Sequence, residues 1–167
     1  GYAALSKAQA LVNMQSDGRQ SDDVQGKVAP QFASFSLNPA IAEELPKFNP
    51  ATSAFGNFSA TQQAQVILYK RIGKVDTDQP LLAVGEVNGV KTGIFLAEGL
   101  WRWRLFDFLQ HQNHEIFDEL IGKTVQYLSL KEDKRKFRVN LDKNIFNENE
   151  AVSFGAELYN DNYELTN

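Results

Sequence analysis

The sequence predicts an α/β domain followed by the first strands of a β-sandwich. Three observations carry this reading. Val66-Ile67-Leu68-Tyr69 is an unbroken apolar run, the pattern of a strand buried on both faces. Ile116, Phe117, Leu120, Ile121, Thr124 and Leu128 recur at helical spacing, so a helix lies downstream of that strand with one apolar face. After Lys131 the pattern changes to alternation: Phe137, Val139 and Leu141, then Val152, Phe154, Ala156 and Leu158. Alternation of this kind belongs to half-buried antiparallel strands. The division falls at residue 131, giving an α/β domain over 1–131 and the start of a β domain over 132–167.

Each element follows from local chemistry. Ser6-Lys7-Ala8-Gln9 has capping-box spacing and predicts a short helix over Lys7–Asn13. Gln15–Gln25 is polar around Ser16-Asp17-Gly18 and reads as a loop. Lys27–Leu37 alternates around Phe32 and Phe35, as a short strand would. Pro39–Leu45 reads as a helical turn or two, with Asn38 as cap and Pro39 in the first position. Pro46–Ser59 reads as a loop whose phenylalanines pack onto something. Phe32, Phe35, Phe48, Phe55 and Phe58 are better read as core filler than as a ligand cage. Ala64–Arg71, Pro80–Val87 and Lys91–Leu96 are strands, with Asn88-Gly89 as a hairpin turn between the last two. Ala97–Leu100 makes a corner. Trp101–Gln110 is helical, and a second helix runs from a cap at Asn113 to Leu128, with Phe117, Leu120 and Ile121 in the core. Lys131–Lys136 is a charged linker, and Asp142–Glu150 a polar turn between the last two strands.

Composition narrows the function classes. The chain has 167 residues, of which 43% are hydrophobic and 23% charged, an ordinary globular balance that excludes a disordered chain, a collagen or a coiled-coil rod. A net charge of −4 disfavours non-specific binding to nucleic acid or to anionic membrane. The absence of cysteine removes disulfides, thiolate metal sites, iron–sulfur clusters and a cysteine nucleophile together. No stretch approaches the ~18 apolar residues of a membrane span, and no signal peptide is present. No G-x-S-x-G elbow, phosphate loop or dinucleotide fingerprint occurs. No cofactor, metal, nucleic-acid partner or membrane contact of this chain itself is therefore expected. Asn57-Phe58-Ser59 is a glycosylation sequon by chance. Gly1 in place of Met reads as a residue left by tag removal.

The run Gly93-Ile94-Phe95-Leu96-Ala97-Glu98-Gly99-Leu100-Trp101-Arg102-Trp103-Arg104-Leu105 resembles a signature of Bacteroidetes-type membrane-anchored proteins of no settled function. Those proteins carry a class I glutamine amidotransferase-like domain followed by an immunoglobulin-like β domain. The resemblance continues through Phe117–Ile121, Val125–Ser129 and Lys131–Val139. It takes in Val66–Lys74 and Pro80–Leu82 upstream, and Asn147–Glu150 and Ala156–Asn160 downstream, so it covers roughly residues 25–167. It implies a Rossmann-like, partial three-layer α/β domain, a chain that is a fragment, and an extracytoplasmic location anchored by membrane segments outside this chain. In amidotransferases a catalytic histidine follows a strand corresponding to Gly93–Ala97. Ala97 stands in its place and cannot take a proton.

Glu98, Trp101, Arg102, Trp103 and Arg104 are the candidate ligand-binding residues, because ligands of open α/β sheets bind beyond the carboxyl ends of strands. On a functional reading the indoles stack on a sugar or nucleobase and the guanidinium groups hold a phosphate or carboxylate. On an architectural reading one tryptophan packs into the core and the arginines pair with Asp107 or Glu98. Residues two apart on a helix face different ways, which favours the architectural reading. His111 and His114 have a spacing that could serve a metal with Asp107, Glu115 or Asp118, but Asn113 interrupts the helix, and a solvated loop is preferred.

These residues predict a non-catalytic structural or binding module of a bacterial envelope protein, with a protein, peptide or glycan ligand. One rival is part of an amide- or sugar-derivative hydrolase, with Glu98 and Arg102 or Arg104 completing a site whose nucleophile lies elsewhere. Another is a homo-oligomerisation domain using the β edge near Val152–Tyr159.

Overall fold

The computed structural model describes residues 10–16, 18–130, 137–141, 148 and 152–158. They fall into two units, Gly1–Leu130 and Lys131–Asn167. In the first unit the chain runs through β1 (Val12–Gln15), β2 (Ser21–Val28), α1 (Pro39–Glu44), a 3-10 turn (Leu45–Lys47), β3 (Ala51–Ala54) and β4 (Asn57–Ala60). It continues through β5 (Ala64–Ile72), β6 (Val75–Val87), β7 (Val90–Phe95), α2 (Trp101–His111) and α3 (Glu115–Ser129). Five of the strands form one curled sheet in the order β3-β2-β5-β6-β7, and β1 pairs with β4 in a separate ribbon. Every pairing is antiparallel.

This topology overturns the expected Rossmann-like, amidotransferase-like α/β fold. A Rossmann layer needs parallel strands joined by crossover helices. Here β5, β6 and β7 follow one another as hairpins, the second closed by Asn88 and Gly89 at φ 53° and 78°. Two successive left-handed residues match the twist of the flanking strands, which is why Asn-Gly sits there. The unit is mostly β, and its helices gather on one face of the sheet.

The burial on both faces of β5 is present, but it has another cause. On one face Val24, Ile67, Leu81 and Val84 pack against Ile41, Leu45, Trp103 and Leu120 from the helical side. On the other face Val66, Ala83, Ile94 and Leu96 pack against Leu11, Val12 and Phe58 of the β1–β4 ribbon. A β-ribbon, not a second helical layer, covers that side.

The segment that follows β7 also makes one bridge to the edge strand β3. The Thr52 N–H donates to Glu98 O at 2.9 Å, and the Glu98 N–H donates to Thr52 O at 2.7 Å. Thr52 lies on the edge strand β3, and the bridge covers part of an edge that would otherwise be open to unwanted pairing.

Several local expectations change as well. Val12–Gln15 is a strand and not the end of a helix, while Lys7–Gln9 lies outside the described residues. The expected loop over Gln15–Gln25 contains the start of β2, and that strand ends at Val28. Phe32 and Phe35 lie beyond it, edge to face at 4.7 Å. The expected loop over Pro46–Ser59 contains β3 and most of β4. Phe48 and Phe58 are buried there, but Phe55 is exposed. α1 forms as expected: Asn38 Oδ1 accepts from the Ala40 N–H at 3.0 Å, and Pro39 occupies the first position. Leu120 is buried, with Phe117 and Ile121 half-buried beside it.

In the second unit β8 (Phe137–Leu141) pairs antiparallel with β9 (Phe154–Leu158), with Val139 opposite Ala156. Val139, Phe154 and Leu158 are exposed. The charged linker over Lys131–Lys136, most of the turn over 142–150, and Tyr159 lie outside the described residues.

Candidate functional site

α2 leaves directly from the bridge at Glu98, through Gly99 at φ 90°. Its tryptophans separate completely. Trp103 is fully buried, with Phe48 and Phe95 edge-on at centroid distances of 6.2 and 5.6 Å. Its indole N–H has no acceptor. Trp101 is 65% exposed. A helix turns roughly 100° per residue, so positions two apart look in opposite directions.

The arginines also take different roles from those expected. Arg102 Nη1 donates to Pro50 O at 3.3 Å, and its guanidinium lies 5.6 Å from the Trp101 ring. Arg104 Nε is 3.7 Å from Asp118 Oδ1, an exposed pair of little intrinsic strength. Neither arginine pairs with Asp107 or Glu98. The Glu98 backbone is held by the bridge, while the residue is exposed.

What α2 presents outward is a stripe. Trp101, Leu105 and Phe108 follow one another at helical spacing, with Leu109 beside them, and all four are exposed. Trp101, Arg104, Leu105, Phe108 and His114 line a surface groove of about 300 Å³. Of the five candidate residues, the structure brings Trp101 and Arg104 to this groove; Glu98, Arg102 and Trp103 do not line it. Leu105, Phe108 and Leu109 escaped the sequence reading. Their signal was present: a second apolar stripe on α2, opposite Trp103 and Phe106.

Asp107 fixes the groove's far wall. It is fully buried, and its Oδ2 accepts from the Phe117 N–H at 2.9 Å. Phe117 is the third residue of α3, so a carboxylate on α2 caps its first turn together with Asn113, whose Oδ1 accepts from the Glu115 N–H at 3.0 Å. The other oxygen of Asp107 is 2.8 Å from His111 Nδ1, and His111 Nε2 is 3.6 Å from Glu44 Oε2. His114 stacks on Phe108, and its Nδ1 is 3.0 Å from Arg104 O. The segment between the helices is solvated as expected, with His111, Gln112 and Asn113 exposed, and its two histidines also touch the neighbouring helical residues Asp107, Arg104 and Phe108. Among the described residues no three acidic or histidine side chains are placed to share a metal ion.

Away from α2, Lys70 is buried over the Phe58 ring, 3.5 Å from its centroid. Burial lowers its pKa to about 8, and the attraction of Asp22 opposes part of that fall. No helix among the described residues is long and apolar enough to cross a membrane.

No protein-family model matches the chain, and no curated protein or solved structure matches it.

Proposed function

We propose that the chain is a non-catalytic binding module that docks a partner protein on the outer face of α2. The observation behind this reading is the exposed stripe Trp101, Leu105, Phe108 and Leu109. Contiguous large apolar side chains on one helical face are costly in water and mark interaction surfaces. Tryptophan and arginine at such a surface are the residue types that carry most binding energy.

The groove's chemistry favours a protein segment over a sugar. Leu105 and Phe108 offer only apolar contact. His114 Nδ1 is already engaged with Arg104 O. The fitting partner brings apolar side chains to the stripe and a carboxylate to Arg104, whose contact with Asp118 is weak and exposed. A lipid surface fits poorly, because Glu115 and Asp118 stand exposed near the groove. The non-catalytic part of the reading is supported by the histidines, which serve helix packing. The extracytoplasmic location and the membrane anchor outside this chain belong to the same proposal and rest on the sequence resemblance alone.

Selection from a random peptide library tests it. The protein should enrich peptides with an aromatic or aliphatic pair beside Asp or Glu. Trp101→Ala should weaken them at least about tenfold, the effect of roughly 1.4 kcal/mol. Arg104→Glu should weaken acidic peptides selectively. Enrichment that ignores Trp101 would overturn the proposal. So would a concentration-dependent dimer abolished by Trp101→Ala, which would give the face to a second copy.

A further inference from the structure

We infer that a second site, a cleft between the segment 29–37 and β5, binds a neutral saccharide. The inference does not depend on α2. The cleft has a volume of about 450 Å³, within the range of about 300–1,000 Å³ typical of small-molecule sites. Its polar lining is Gln31, Ser34, Gln65 and Tyr69, and its apolar lining includes Phe32 and Val66. Gln31, Ser34 and Gln65 are exposed, so the cleft opens to solvent.

The chemistry of this lining is specific. It contains amides, hydroxyls and aromatic rings, and no carboxylate, ammonium or guanidinium group. A charged ligand would find no counter-ion there. Amides and hydroxyls both donate and accept, which matches a ligand whose every hydroxyl does the same. Gln31 Nε2 donates to Tyr69 Oη, and Ser34 Oγ donates to Gln65 Oε1. These pairs leave the Gln31 carbonyl oxygen, the Gln65 amide N–H groups and the Tyr69 O–H with capacity to spare. The rings of Phe32 and Tyr69 offer apolar surface for the C–H face of a pyranose.

A peptide strand is a poorer fit. Such ligands bind by adding to a sheet edge, but β5 is flanked by β2 and β6 on its two sides. Side chains alone are left to recognise the ligand. The cleft is also set in advance. The Ala29 N–H donates to Ile67 O at 2.9 Å, and the Phe32 N–H donates to Ala29 O at 3.2 Å, tying the segment to β5.

NMR titration of the whole chain with maltotriose, cellotriose and chitotriose, each to about 10 mM, tests the inference in the affinity range of simple sugar sites. At least one should shift the Gln31 and Gln65 side-chain amides and the Tyr69 ring. Added salt should leave the shifts unchanged, because no ion pair is involved. Gln65→Ala should reduce affinity at least about fivefold, roughly the worth of one hydrogen bond. Gln31→Ala, at an exposed position, should do the same with the rest of the spectrum unaltered. Absence of shifts with all three sugars overturns the inference. So do shifts that survive both variants, or larger shifts with glucuronate, titrated as an anionic control, than with any of the three sugars, which would mean an anion site.

Discussion

Replacing Asp107 by alanine should loosen α3 from α2. The carboxylate is fully buried and serves two partners, the Phe117 N–H at 2.9 Å and His111 Nδ1 at 2.8 Å. Removal of a helix cap costs about 1 kcal/mol. Loss of a hydrogen bond to a buried charged group costs about 1.5–3 kcal/mol. Water reaches His111, which is partly exposed, and recovers some of this. The expected loss is therefore about 2–4 kcal/mol. Asp107→Asn keeps an acceptor for Phe117 and should cost about 1 kcal/mol. Urea unfolding of both variants measures the difference, and hydrogen exchange at the Phe117 amide locates it. That amide should exchange faster in the alanine variant while those of β5 keep their order of protection. An alanine variant within about 0.5 kcal/mol of the parent would refute the capping role, as would equal costs for the two substitutions.

Two further outcomes follow from burial. Lys70→Met should stabilise the protein by about 1–3 kcal/mol below pH 8, because the folded state there bears the cost of a buried ammonium group. In the parent, unfolding takes up a proton between pH about 8 and 10.5, so parent stability rises across that window. The advantage of the variant should shrink in step, and urea unfolding at several pH values would expose a pH-independent gap as contrary evidence. Gly85→Ala would bring a Cβ within 2.3 Å of Gln63 O and 2.5 Å of the Leu11 side chain, and should cost more than about 2 kcal/mol. Gly122→Ala, on α3 with nothing within 4 Å, should instead stabilise by about 0.5–1 kcal/mol, and thermal melts of the pair check the contrast.

The elements legible in the sequence are those whose own side chains carry the pattern. β5, the β6–β7 hairpin, α1, α2 and α3 advertise themselves by apolar periodicity, caps and the Asn-Gly turn. β2 does not, because it is largely polar and carries Gly26, and Trp103 comes within 3.1 Å of where a Cβ would stand there. An indole from α2 fills the space that a strand side chain would otherwise occupy. β3 is hidden for a similar reason. Ala51, Ser53 and Ala54 are small, and Ser53 Oγ donates to Leu96 O at 2.7 Å, so burial comes from close approach and not from bulk. The fold class failed because burial on both faces of a strand does not distinguish a second helical layer from a β-ribbon. On α2 the tetrapeptide Trp101–Arg104 drew attention to the right helix, but the exposed stripe needs Leu105, Phe108 and Leu109 to be seen. The residues of the sugar cleft are scattered between two segments and form no motif.

The bridge between Thr52 and Glu98 has a consequence for association kinetics. It anchors the root of α2 to the sheet, and Arg102 adds a second tether at Pro50 O. The opposite end of the helix is held by Asp107 and His111. A helix clamped at both ends meets a partner with its contact face already in the bound arrangement. Little conformational entropy is then lost on docking, and encounter needs no prior rearrangement. Association on this face should proceed as a rigid-body step, with differences among partners expressed in how long each one stays.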